Sequence, residues 1–239
     1  HPVAHSFPTR RSSDLAAVFD FMFEVGAKSN VNLAGILHGE QELIFHCPLP
    51  VEGTLVTQGE IKEVYDLGRD KGAVIRAEGV TRGKDGRKLF SNTMSIFARL
   101  DGGFGGERPP RRTVEIPDRD PDFAVNDRPS RDQPLLYRLS GDTFDLHVDP
   151  EFARSAGFEK PIMHGLCTHG FACRACIHSL VPGEPDKVRR IACRFSRPLY
   201  PGVPIQTRIW VVAQGRAVWR VVNAQTQEVV IDQGVFEHA

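Results

Sequence analysis

The run YRLSGDTFDLHVDPEFARSAGFEKPIMHGLCTHGFACR, Tyr137–Arg174, governs the reading of the whole chain, because it packs an acid, a base and a helix start into one segment. Ser140-Gly141-Asp142 reads as the end of an apolar-flanked strand. His147 follows five residues later, in a stretch too polar and irregular for regular helix, so Asp142 and His147 can converge on one point. Asp149-Pro150-Glu151 then has the form of a helix start: an Asp cap, Pro at the first helical position and an acid in the first turn. Gly157 supplies the stop. After Lys160-Pro161, Met163-His164-Gly165-Leu166 opens a longer apolar helix that runs to about Leu180, ahead of Pro182-Gly183. Its first turn aims free backbone N–H groups at whatever sits beside Asp142 and His147.

Working outward, Leu43–Cys47 and Thr54–Val64 pattern as strands, separated by Pro48-Leu49-Pro50. Ala73–Thr81 and Lys88–Leu100 follow, with polar turns at Gly68–Gly72 and Arg82–Gly86. Ala16–Val25 is apolar enough for a buried helix ahead of them. Residues 101–133, rich in Gly, Pro and charge and without a period, read as a linker. Beyond the 137–174 segment, Val188–Arg197, Ile205–Ala213, Ala217–Ala224 and Val229–Glu237 are four more strands, with a turn at Gln214-Gly215-Arg216. Helix-then-strands occurs twice, an internal repeat of architecture in an α+β protein.

The 137–174 segment resembles the hydratase motif of the MaoC-like family, in particular the (3R)-specific 2-enoyl-CoA hydratases known as hydratase 2. The likeness continues through LHGEQELIFHCPLPVEGTL (Leu37–Leu55), SIFARLDGGFGGER (Ser95–Arg108) and RFSRPLYPG (Arg194–Gly202). It implies an α+β double hot-dog fold, two antiparallel sheets each wrapping a central helix and joined side by side. The division it suggests is an N-terminal acyl-binding unit over residues 16–100, short at its start, the linker, and a catalytic unit over residues 134–239. Residues 1–15 are set aside, because His5–Leu15 reads like the translation of a sequencing adapter.

The resemblance implies a cofactor-free hydro-lyase that adds water to a trans-2-enoyl-CoA to give a (3R)-3-hydroxyacyl-CoA, or runs in reverse, as in fatty-acid β-oxidation. Asp142 and His147 would position and activate the water, and the Gly165 N–H, at a helix start, would hold the enolate-like thioester oxygen. His38 and Gly39 match a segment that lines the substrate site, and Phe195 aligns with a residue that contacts the ligand. Arg194 and Arg197, with Lys187, Arg189 and Arg190, form a local basic cluster suited to CoA phosphates, and a solvated strand edge accounts for the same charges. The family lysine before Gly68 is Leu67 here, with Arg69 or Lys71 nearby to cover the same phosphates.

One departure matters. Two residues after the Asp the family has Asn, followed by Pro; here those places hold Phe144 and Asp145. Phe144 cannot hydrogen-bond a water. It either reshapes the pocket for another acyl group or leaves a non-catalytic acyl-CoA-binding subunit with a degenerate hydratase motif. A hot-dog acyl-CoA thioesterase is the second enzymatic alternative.

The chain has 239 residues, 41% of them hydrophobic, enough for a real core, and equal numbers of basic and acidic residues, 30 each. That balance gives no global attraction for nucleic acid or an anionic membrane. The five cysteines do not form a disulfide framework in a chain this long, and the carboxyl-terminal residues are not a peroxisomal address, so a bacterial cytoplasm is expected. His164, Cys167, His169, Cys173, Cys176 and His178 invite a metal reading, but one CxxC inside a helix with no second pair reads as a core stripe. No metal, an acyl-CoA partner and a homodimer complete the expectation.

Overall fold

The computed structural model describes residues 15–110 and 113–239, so the proposed adapter segment lies outside the described residues except at Leu15. Two compact units divide the chain, residues 1–112 and 113–239.

In the first unit, helix α1 (Leu15–Lys28) precedes strands β1 (Ile36–Phe45), β2 (Leu55–Gly68), β3 (Gly72–Gly83) and β4 (Lys88–Ala98), ordered β2-β3-β4-β1 and antiparallel throughout. Alternation along β3 and β4 turns Ala73, Ile75, Ala77, Met94, Ile96 and Ala98 to one side, where Val25, Phe21 and Met22 of α1 pack on them. Burying such side chains contributes roughly 1.5–3 kcal/mol each. A glycine pair seats the helix: Gly59 and Gly79 face each other across β2 and β3, and a Cβ on Gly59 would lie 2.1 Å from the Phe21 ring. No larger residue fits there.

The second unit orders its strands β6-β9-β8-β7-β5, again all antiparallel: β5 (Phe123–Asp127), β6 (Val188–Phe195), β7 (Ile205–Ala213), β8 (Arg216–Asn223) and β9 (Val229–His238). Helix α4 (Gly165–Leu180) packs against β5, β6 and β7. A glycine again makes room for an aromatic ring, here one from the neighbouring strand. Trp219, fully buried, stands opposite Gly234 in the β8–β9 register, and a Cβ at Gly234 would meet the indole at 2.2 Å. Each unit is thus a long helix on an antiparallel sheet, as expected of a hot-dog unit.

Three elements differ from the sequence expectation. The strand expected to end at Asp142 is instead helix α2 (Gln133–Arg138), started by Pro134, whose fixed φ suits a first helical turn. The linker contains β5, an edge strand pinned to β7, with Val211 N–H donating to Asp122 and Trp210 Nε1–H donating to the Arg119 carbonyl. The first strand begins at Ile36 rather than Leu43, because β4 offers a ladder that reaches back to it. His38 and Gly39 are therefore strand residues. The expected helix α3 (Pro150–Ser155) is present, with the Asp149 carboxylate accepting from Glu151 N–H and Phe152 N–H and Gly157 at φ 85° closing it.

Candidate active site

The segment between α2 and α4 carries its titratable side chains to the start of α4. A short 3-10 turn, Asp145–His147, follows Phe144 and delivers His147; the extended residues before Gly165 deliver His164 as the α4 N-cap. The His147 and His164 rings stack, with centroids 3.8 Å apart and planes 27° from parallel. His164 Nε2 lies 3.7 Å from an Asp142 carboxylate oxygen. Tyr137, from α2, sets its ring 4.6 Å from the other side of His164. Asp142 and His147 do converge, and they do so through His164.

His164 is the residue that sequence reasoning missed. The sequence offers it only among candidate metal ligands and gives it no catalytic role; it is 1% exposed, with neither ring nitrogen at hydrogen-bond distance from a partner. The signal available was its place just before the helix-start glycine, where a side chain must face whatever the first-turn N–H groups face.

Hydrogen bonding fixes one protonation state. His147 Nδ1 lies 2.9 Å from the Ile162 carbonyl, which can only accept, so Nδ1 carries the proton and Nε2 is left as a free base. Burial then sets the strengths. It holds His147 down at about 4, with the Ile162 carbonyl pulling the other way. Burial, reinforced by the neighbouring His147, holds His164 down at about 2. The same loss of water pushes Asp142 up to about 7, against a single N–H from Phe144 at 3.2 Å and the charge of Arg138. At neutral pH the site therefore holds two neutral imidazoles and a carboxyl near its midpoint.

Gly165 opens α4, so its N–H has no intrahelical acceptor. A Cβ there would press on the Phe195 ring at 3.1 Å, which brings together two residues expected at the site. Phe144 turns its ring edge-on to Phe152 at 5.3 Å and stands 6.2 Å from His147, forming an aromatic wall beside the base. Asp145 uses its carboxylate on Arg138, 3.6 Å away.

The other expected binding residues each have local contacts of their own. His38 and Gly39 belong to the first unit: His38 Nε2 contacts the Glu40 carbonyl at 3.0 Å, and Gly39 occupies a β-bulge where a Cβ would strike Ser95 Oγ at 2.7 Å. Arg194 faces Asp232 in the β6–β9 register, and Arg197 sits 3.4 Å from Glu228. Within the same basic cluster Lys187 pairs with Glu184 and Arg190 with Glu237. Lys187, Arg190 and Arg197 thus each face one of the protein's own carboxylates.

Asp142, His147 and His164 offer ligand atoms all within 4.8 Å of one another, and among the described residues they are the one such group able to converge on a cation. The cysteine-rich stripe reads otherwise: Cys167, His169 and Cys176 are buried along α4, and burial pushes the Cys167 thiol up to about 12. The five cysteines form no disulfide.

Residues 112–233 match the MaoC like domain. The chain belongs to the MaoC-like family. Its residues 12–100 match a second description, the MFE-2 hydratase 2 N-terminal domain. This MaoC-like chain is 42% identical over 215 residues to the 3-hydroxyacyl-thioester dehydratase Y of Mycobacterium tuberculosis, covering 87% of the chain and 74% of that relative. It is 39% identical over 204 residues to the probable enoyl-CoA hydratase 2 of Dictyostelium discoideum, covering 84% and 69%. Among solved structures, the MaoC-like dehydratase from Phytophthora capsici superposes with a TM-score of 0.79 at 36% identity, over 88% of this chain and 74% of that one. The hot-dog architecture of both units is that of the MaoC-like proteins.

Proposed function

We propose that the chain is a hydratase and dehydratase that interconverts a 2-enoyl-CoA and a 3-hydroxyacyl-CoA, with the (3R) face as the resemblance implies. The observation that carries the reading is the meeting of a neutral imidazole base, His147, and a carboxyl raised to about 7, Asp142, at the opening of α4. The names of its relatives support the same reaction.

The chemistry follows from those states. His147 Nε2 takes a proton from water as the water oxygen bonds to C3 of the enoyl thioester. The π pair moves through C2 onto the thioester oxygen, where the Gly165 N–H, helped by the positive end of α4, meets the charge. As the enolate collapses, the Asp142 carboxyl delivers its proton to C2. The imidazolium and carboxylate left behind restore the starting state by one proton transfer between them. His164, stacked on His147 and 3.7 Å from the Asp142 carboxylate, acts as a positioning residue. The bacterial cytoplasm and homodimer expected from sequence belong to this proposal, and a mycobacterial relative supports the bacterial source alone.

The test is incubation with crotonyl-CoA and with a longer trans-2-enoyl-CoA, following loss of enoyl absorbance and release of free thiol together. Absorbance loss without thiol, abolished in Asp142→Ala, is expected. Thiol release would establish a thioesterase, and binding without turnover would establish the binding subunit that Phe144 suggests.

A further inference from the structure

A groove of about 690 Å³ opens beside His147, a volume in the range of small-molecule sites. Its wall is built from the start of α2, the segment around Pro161, the loop Pro201-Gly202-Val203 and the β8–β9 turn at Gln225, all within the second unit. The lining contains two full cations, Arg131 and Lys160, and no carboxylate. This sets the groove apart from the basic cluster around β6, where Lys187, Arg190 and Arg197 each pair with one of the protein's own acids.

Both cations are held against the Tyr200–Gly202 loop. Lys160 Nζ lies over the Tyr200 ring, 5.0 Å from its centroid, a cation–π contact that restrains the long side chain while leaving its N–H donors available. Arg131 lies across Gly202: a Cβ there would sit 3.0 Å from Arg131 Cγ, and φ 83° independently calls for glycine. The remaining wall is largely apolar, with Pro134, Leu135, Val148 and Val203. A groove whose lining combines an imidazole, apolar walls and two restrained cations suits a ligand with a reactive end, an uncharged arm and an anionic group.

We propose that Arg131 and Lys160 bind the phosphate-bearing handle of the thioester, so that the groove, and not the β6 cluster, is where the handle lies. The inference rests on the hydratase reading for the identity of the reactive end. The shared chemistry is the phosphate of a 4′-phosphopantetheine arm, whether that arm belongs to CoA or to a carrier protein.

The experiment compares crotonyl thioesters of CoA, of 4′-phosphopantetheine and of pantetheine, which lacks phosphate, on the unsubstituted protein and on Arg131→Ala, Lys160→Ala and the conservative Lys160→Arg. Losing one charge-assisted contact is expected to raise KM about tenfold for the phosphorylated substrates, with kcat unchanged and the pantetheine thioester unaffected. Lys160→Arg should keep most of the affinity. A rise for both phosphorylated thioesters supports the proposal through the shared phosphate, and a rise for the CoA thioester alone supports it through the additional phosphates of CoA. Equal changes on all three thioesters, or none on any, would overturn it, as would the same KM rise in Arg197→Ala. Direct calorimetric titration with CoA separates this inference from the hydratase reading: CoA binding weakened in Arg131→Ala and Lys160→Ala supports the anchor even in a protein that turns nothing over.

Discussion

Asp66 in the first unit and Asp142 in the second are 7% and 6% exposed, and their surroundings push them in opposite directions. Asp66 accepts N–H groups from Gly68 at 2.8 Å, Gly103 at 2.8 Å and Gly105 at 2.6 Å, and those donors hold its carboxyl below the usual range. The three glycines all have positive φ, which lets the chain curl its amides inward around one carboxylate. Asp142 receives one such N–H, at 3.2 Å, and burial raises it to about 7. Backbone donors dominate at Asp66 and loss of water dominates at Asp142, and that difference separates a carboxylate that ties a loop from a carboxyl that can hand over a proton.

The largest effect should come from exchanging each acid for its amide. Asp142→Asn is expected to lower kcat/KM by about 10²–10⁴, read by enoyl absorbance, with no fall in Tm, because the amide removes a buried charge. Asp66→Asn should do the reverse, lowering Tm while leaving the rate per folded molecule alone. A pair of variants that both unfold would break the comparison.

The pH profile sharpens it. His147 must be neutral and Asp142 protonated, so kcat/KM should fall on the acid side through about 4 and on the basic side through about 7. A rate that instead climbs through the upper value would mean that Asp142 acts as carboxylate. The linkage to stability has opposite signs for the two acids. Asp142, raised when folded, contributes stability that is full below the ordinary carboxyl range and lost as pH rises toward about 7. Asp66, lowered when folded, contributes stability that is present above that range and lost as pH falls below it. Thermal melts of the two amide variants across this span should diverge from the parent in opposite directions.

A smaller effect is expected at Gly165. A methyl group there presses on Phe195 at 3.1 Å and shifts the helix start, so Gly165→Ala should cut kcat roughly tenfold while costing little stability. A Gly165→Ala enzyme with unchanged kcat would remove this N–H from the mechanism.

Much of this was legible in the residues because the decisive signals are local. The Asp149-Pro150 cap, the Gly157 stop and the ends of β7 depend on neighbours in the chain, and the structure places them where the sequence does. What escaped depends on partners far away. The β5 residues Phe-Ala-Val-Asn-Asp form an edge strand without clean alternation, and become a strand because β7 offers an unpaired edge. His164 looked like core because it is core by exposure; only the fold shows that the atoms burying it are Asp142, His147 and Tyr137. Two cations of the basic cluster are likewise met by acids that spacing alone does not place, Glu184 in the turn before Lys187 and Glu237 of β9.

The contact between His147 Nδ1 and the Ile162 carbonyl has one more consequence. With that nitrogen committed, the ring is a dead end and not a wire: a proton that enters at Nε2 can leave only from Nε2, back toward Asp142 or the groove. No path runs through the imidazole into the interior behind it. Solvent isotope therefore exchanges with the His147 base through Nε2, and substitutions in the core beneath the ring alter its rigidity without opening a second route through the imidazole.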